Sequence, residues 1–247
     1  SFGPAVATAG TSRSIFPRVW TLDSYKAFFS FSKYSVRWIV NSLIVASATV
    51  AGNVIFASMA GYAFSKINFK GRKWMFAMIL VAMMIPYQVT QVPLYILIAN
   101  KLHMTNTYWA QILPLIPLPV ALFLVKQFVD QVPDSLIEAA YMDGAKELQI
   151  YTKVIIPLIK PAISTAAILV FQQVWTNLEA SNYYVNDDGL KSLAFYMNTL
   201  TSTSTTNTVA GQGVAAAASL IMFVPNLVLF CILQKNVMNT MAHSGIK

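Results

Sequence analysis

The chain has 247 residues, of which 56% are hydrophobic and only 11% charged, with a mean hydropathy of +0.57. A soluble domain carries about a quarter of its residues charged, so an ordinary globular core is excluded and an integral membrane protein is expected. The formal net charge of +8 has no basic stripe with stacking aromatics beside it, which argues against nucleic acid and for lysines and arginines held near headgroups on the cytoplasmic side.

The opening "SFGPAVATAGTSRS" lacks an initiator Met, a charged start and a long apolar run, so it does not read as a signal peptide. Five segments then qualify as spans of about 20 apolar residues: Trp38–Phe64, Trp74–Asn100, Met104–Val125, Val154–Leu178 and Val209–Leu233. Pro114, Pro117 and Pro119 must bend the third. Lys160, Pro157 and Pro161 stand at the start of the fourth. The fifth opens on the small residues "VAGQGVAAAAS" and is expected to kink around Pro225. The fold class is an all-α, polytopic membrane helical bundle.

The loop "SKINFKGRK" holds Lys66, Lys70, Arg72 and Lys73 with no acid, which places it in the cytoplasm. Alternation puts the Lys101 loop outside, the Glu138 segment inside, the Asp187/Asp188 loop outside and the tail inside. Residues 1–37 are then external, although Arg13, Arg18, Lys26, Lys33 and Arg37 face only Asp23. An external start before the first span suggests a six-span parent whose first helix is absent from this sequence. The organisation is thus an external segment, 1–37, followed by a transmembrane domain, 38–247.

One cytoplasmic segment stands out. "EAAYMDGAKELQIYTKVIIP" gathers Glu138, Asp143, Lys146, Glu147 and Lys153 between greasy spans. Ser135 and Glu138, following Pro133 and Asp134, form an S-x-x-E capping-box pattern. Ile137, Ala140, Tyr141, Gly144 and Leu148 recur at helical spacing, and Ala140 with Gly144 leaves a flat notch. Gly144 weakens a helix by about 1 kcal/mol and suggests a bend between two short helices. Pro157 is expected to end the stretch and begin the next span. A helix lying on lipid and a helix seated in a protein groove both fit this pattern, though the acids near its start suit the groove better.

The segment resembles the EAA motif of ABC importer permeases, E-A-A-x3-G-x9-I-x-L-P. Glu138, Ala139, Ala140, Gly144 and Pro157 match it, with Val154 and Ile156 as conservative replacements. "WTLDSYKAFF", "RWIVNSLIVA", "GYAFSKINFKGRK", "MMIPYQVTQVPLY", "VPDSLIEAAYMDGA" and "TMAHSGIK" resemble the carbohydrate-uptake, MalG-like branch of the binding-protein-dependent transport family, from about Phe16 to the end. The resemblance implies six spans in a full-length member and a coupling loop, 134–157, seated in an ATPase cleft. Glu138 and Asp143 lie in that docking motif, with Glu138 making the polar contact, Ala139 and Ala140 the close packing and Gly144 the turn. It implies a second homologous permease subunit, two copies of a cytoplasmic ABC ATPase that bind the ATP and magnesium, and an extracellular solute-binding protein. The chain itself would hold no cofactor or metal, and it would sit in the plasma (inner) membrane of a bacterium or archaeon.

Other classes lack their chemistry in this sequence. There is no G-x-x-x-x-G-K-[ST] phosphate cradle, no H-E-x-x-H and no G-x-S-x-G, so the chain is expected not to be an enzyme. An ion-coupled secondary transporter, the alternative reading, usually carries ionisable groups in mid-membrane; the span centres here hold none, and Glu179 falls at an outer end. Cys231 is the single cysteine, and His103 and His243 have no ligand-spaced partner.

Amides and aromatics within the spans suit a neutral sugar: Gln88, Gln91, Gln111, Gln172, Gln173, Trp175, Asn177 and Asn226. Gln173, Trp175 and Asn177, with Gln88 and Gln91, are the substrate-path candidates. Interhelical hydrogen bonding is the structural alternative for each. Pro86 and the Pro114/Pro117/Pro119 set serve as hinges or as static kinks. The stretch "NDDGLKSLAFYMNTLTSTSTTNT" is expected to be a polar external loop near the pore mouth.

Overall fold

The computed structural model describes residues 22–30, 32–202 and 209–244, with side chains for 22–30, 32–200 and 213–235. Most of the N-terminal external segment, the Ser/Thr run at 203–208 and the last residues of "TMAHSGIK" lie outside the described residues. Among the described residues the chain is helical and forms no strand.

A short α1 (Asp23–Ser30) precedes the long α2 (Ser35–Lys66). The 32 residues of α2 span about 48 Å at 1.5 Å per residue. Its buried stripe is small and polar, with Asn41, Ser42, Thr49, Asn53, Ser58 and Gly61 along it, while Leu43, Ile55, Phe56 and Met59 point outward. That inverts the amphipathicity of a water-soluble helix. Lipid rewards no apolar stripe inside, so small residues and hydrogen bonds hold the helices together.

The chief partner of α2 is α6 (Pro119–Asp130). They touch closely at Gly61, where an added Cβ would lie 3.1 Å from Val125 Cγ1 and 3.2 Å from the Lys126 backbone nitrogen. At Gly52 a Cβ would lie 2.9 Å from Ile116 Cδ1.

Three of the expected spans are bent pairs. α3 (Arg72–Ala82) meets α4 (Tyr87–Ile96, continued by a π turn to Lys101) at 101°, with Pro86 extended at the break. The expected span Trp74–Asn100 is thus two arms that break at Pro86. α5 (Tyr108–Ile112) and a 3-10 turn (Leu113–Leu115) meet α6 at 43°. Pro117 and Pro119 supply no N–H there, and the carbonyl of Ile116 accepts instead from Asn53 Nδ2 at 2.5 Å and Leu118 N at 2.9 Å. A proline break in a membrane helix survives because a neighbour satisfies the freed carbonyl.

After α7 (Asp134–Met142) comes an arm made of α8 (Glu147–Ile150), a π turn (Tyr151–Ile155) and α9 (Ile156–Leu158). It joins α10 (Lys160–Trp175) at 76°. The expected span Val154–Leu178 is corrected accordingly: Val154–Leu158 belongs to the arm before the elbow. Pro157 does not end that stretch. The turn falls at buried Ile159, at φ −94 and ψ 10, between Pro157 and Pro161.

The chain closes with α11 (Glu179–Tyr184), a 3-10 turn (Asp188–Leu190), α12 (Leu193–Ser202) and α13 (Val209–Ser244), which continues as one helix through Pro225. Among the described residues two helices are long and apolar enough to cross a membrane, or up to five crossings when each bent pair counts as one.

The polar external loop expected around Asp187 is instead a folded segment. Leu193, Tyr196 and Leu200 are buried, and Tyr196 packs at a tilt of 41° against Trp38 with ring centroids 4.3 Å apart. Both its backbone groups, held by Trp38, Asn41 and Ser42, and its apolar side chains meet α2.

Candidate functional site

The EAA segment forms two short helices joined by a tight turn. Pro133 is extended (φ −60, ψ 133) and acts as the N-cap of α7, with no side-chain capping bond. The Ser135/Glu138 capping box is therefore not formed: the helix starts two residues early and carries Asp134 in its first turn, where the helix dipole favours a carboxylate. α7 stops at Met142, and Gly144 adopts φ +77, a left-handed conformation open to glycine without a Cβ penalty. The Ala140–Gly144 notch thus does not exist as a helical face. Ala140 turns toward the core beside buried Ile137, while Glu138, Ala139, Asp143 and Gly144 are exposed.

This exposed surface is apolar as well as acidic. Met142 is 88% and Leu148 68% exposed, with Leu136 and Tyr141 also outward. Nothing lies within 4 Å of a Cβ placed on Gly144. α8 opens with Lys146 N donating to Gln149 Oε1 at 2.8 Å.

The inner side of the segment is tied to the end of α2. Lys66 Nζ donates to the Val132 carbonyl at 2.6 Å and to Asp134 Oδ1 at 2.7 Å. Tyr62 donates to Glu147 Oε1 at 2.5 Å, Tyr141 donates to Glu147 Oε2, and Ser58 Oγ lies 2.7 Å from the Tyr151 hydroxyl. The basic loop after Lys66 and the EAA segment therefore share one end of the bundle, as alternating spans require.

At the other end, α2 holds the folded segment 184–193. Trp38 donates to the Asp188 carbonyl at 2.5 Å. Asn41 Nδ2 donates to the carbonyls of Gly189 at 2.9 Å and Lys191 at 3.0 Å, and its Oδ1 accepts from Tyr108 at 2.7 Å. Ser42 Oγ accepts from Leu193 N, and Gln111 donates to the Leu190 carbonyl. Asn106, in a left-handed turn, accepts from the backbone N–H groups of Asn186 and Asp187.

The substrate-path candidates do not converge. Gln173 is exposed, whereas Trp175 is buried, stacks on Phe171 and donates its indole N–H to the Met222 carbonyl at 2.9 Å. Asn177 accepts from Ala180 N at 2.9 Å, at the start of α11. With Ser42, Gln111 and Ser192 it also lines a cavity of about 10 Å3, room for one water. Gln88 is exposed on α4, and Gln91, one turn on, is half-buried. Gln172 and Asn226 do line one groove, of about 280 Å3 between α10 and α13, together with Phe223 and Phe230.

Sequence reasoning missed Asn41, Asn106, Ser58, Tyr62 and Tyr151. For α2 the signal was present as polar residues recurring three or four apart in an apolar run.

Residues 53–237 match the family described as "Binding-protein-dependent transport system inner membrane component". The chain is 31% identical to the arabinooligosaccharides transport system permease protein AraQ of Halalkalibacterium halodurans, over 94% of this chain and 81% of that protein. It is 32% identical to the galactooligosaccharides transport system permease protein GanQ of Bacillus subtilis, over 100% of this chain and 87% of that protein. Its fold is similar to a chain in the crystal structure of a bacterial ABC transporter involved in the import of the acidic polysaccharide alginate. The TM-score is 0.79 at 20% identity, covering 91% of this chain and 83% of the other. This chain belongs to the family of binding-protein-dependent transport system inner membrane components, the permease subunits of ABC importers.

Proposed function

We propose that this chain carries a neutral sugar or oligosaccharide across the plasma membrane, driven by ATP hydrolysis on a separate subunit. A solute-binding protein delivers the sugar at the Trp38 end, a second homologous permease completes the pore, and two ATPase copies, which bind the ATP and magnesium, dock at the 134–157 loop. The Lys66 end faces the cytoplasm, in keeping with its basic loop.

The observation that carries this reading is the loop's outward face. Met142, Leu148, Leu136 and the exposed Glu138 and Asp143 stand clear of the bundle around the open turn at Gly144, in a form suited to a protein cleft. The oligosaccharide names borne by the relatives support the substrate class, as do amides at the α10–α13 groove.

The experiment is purification in mild detergent with identification of what co-elutes, followed by uptake from reconstituted vesicles. An ATPase, a sister permease and ATP-dependent uptake of a neutral oligosaccharide are expected. A lone homo-oligomer with ion-dependent uptake overturns the reading.

A further inference from the structure

The coupling loop's outer face accounts for docking, but its inner face raises a separate question: what makes the bundle follow the loop? α7 has Ile137 as its one buried residue among those described, so apolar packing alone fixes it weakly. Further along the loop, Ile150 and Ile155 are buried in the core; the remaining attachment is polar and falls on α2. At the exposed rim of that face, both oxygens of Glu147 are used, and by different elements: Oε1 accepts from Tyr62 of α2 and Oε2 from the outward Tyr141 of α7. A carboxylate offers acceptor sites for both hydroxyls at once, and hydrogen bonds to a charged acceptor are about twice as strong as neutral ones.

Two further latches flank this staple. One is Ser58 with Tyr151, one helical turn before Tyr62, whose ring lies 5.8 Å from that of Tyr151. The other is Lys66 with Asp134 and Val132, one turn after. The three latches therefore run along one side of α2 over two turns.

We propose that Glu147 is a positioning residue that staples the coupling loop to α2, so that loop and helix move as one body. The inference rests on the docking reading above. α2 then hands the movement to the segment 188–193, which Trp38, Asn41 and Ser42 hold at its far end.

The test uses the assembled complex, reconstituted with its ATPase and sister permease, in a Cys231→Ala background that removes the exposed native thiol. Tyr62→Phe and Glu147→Ala are each expected to leave the ATPase bound while lowering sugar uptake per ATP hydrolysed about five-fold or more, the usual scale of a coupling interaction. The double variant should lose no more than the worse single one, and Glu147→Gln should recover part of the loss. A purely structural role lowers yield and leaves uptake per ATP unchanged, and that result overturns the proposal.

A second measurement covers variants that fold poorly. Ser58→Cys and Tyr151→Cys, joined by a short bis-thiol reagent, should still transport if loop and helix travel together. Arrest by the cross-link with the ATPase still bound shows that the loop slides on α2, and the proposal fails. Absence of the ATPase from the unaltered complex instead defeats the docking reading.

Discussion

Lys66 and Asp134, separated in sequence by two crossings, meet at 2.7 Å, with side chains 9% and 77% exposed respectively. The pair fastens the last turn of α2 to the first turn of α7. An ion pair with one partner this exposed contributes about 0–1 kcal/mol. Lys66, however, also satisfies the Val132 carbonyl. Asp134→Asn should therefore leave thermal stability in detergent almost unchanged, while Lys66→Ala lowers it measurably and speeds proteolysis at 131–134.

Gly144 separates backbone strain from crowding. Its φ of +77 costs a side chain with a Cβ about 1–2 kcal/mol, yet a Cβ there meets nothing. Gly144→Asn, which tolerates this conformation, should keep transport. Gly144→Val should insert normally but uncouple ATP hydrolysis from uptake, read as ATPase turnover without sugar accumulation in vesicles.

Asn41 joins three segments through one amide. Asn41→Ala removes bonds to Gly189, Lys191 and Tyr108 and leaves buried carbonyls unpaired, at about 1–3 kcal/mol for each such group. Faster hydrogen exchange and proteolysis confined to 184–193 are the expected outcome. Unchanged exchange there would show that Trp38 and Ser42 hold the segment alone.

Trp175 and Gln173, two residues apart on α10, should behave differently. Trp175→Ala opens a cavity in the core and removes the indole bond to the Met222 carbonyl, which keeps Asn226 Nδ2, with a loss of about 3–5 kcal/mol; poor assembly is expected. Trp175→Phe keeps the ring and should assemble well. Gln173→Ala should assemble normally, so any change in its uptake reads on the sugar path.

The Tyr141 hydroxyl titrates above the ordinary phenol value, chiefly because it donates to Glu147 and secondarily through burial. The neutral form is the one that donates. Its contribution is fully present below about pH 10 and is lost only as pH rises through the higher folded value. The tyrosinate absorbance that Tyr141→Phe removes should therefore appear later in the unaltered protein than in Glu147→Ala.

Much of this was legible in the sequence. Long uncharged runs with basic loops give α2 and α13, and the E-A-A-x3-G spacing locates the loop and its turn. Bends were harder to read. Prolines at 86, 117 and 119 marked breaks, but the angle depends on which neighbour takes the freed carbonyl, as Asn53 does for Ile116. The folding back of 186–200 was hidden because its partners, Trp38, Asn41 and Gln111, lie far away in sequence and act on backbone atoms. The capping box failed for a local reason: Pro133 had already taken the cap position.

The elbow at Ile159 leaves α10 only 16 residues, about 24 Å of helix against about 30 Å of hydrocarbon. Alone this strut falls short of the bilayer, so the bent arm Glu147–Leu158 completes the crossing. A thicker bilayer of long-chain lipids should therefore strain the elbow itself and slow the transporter.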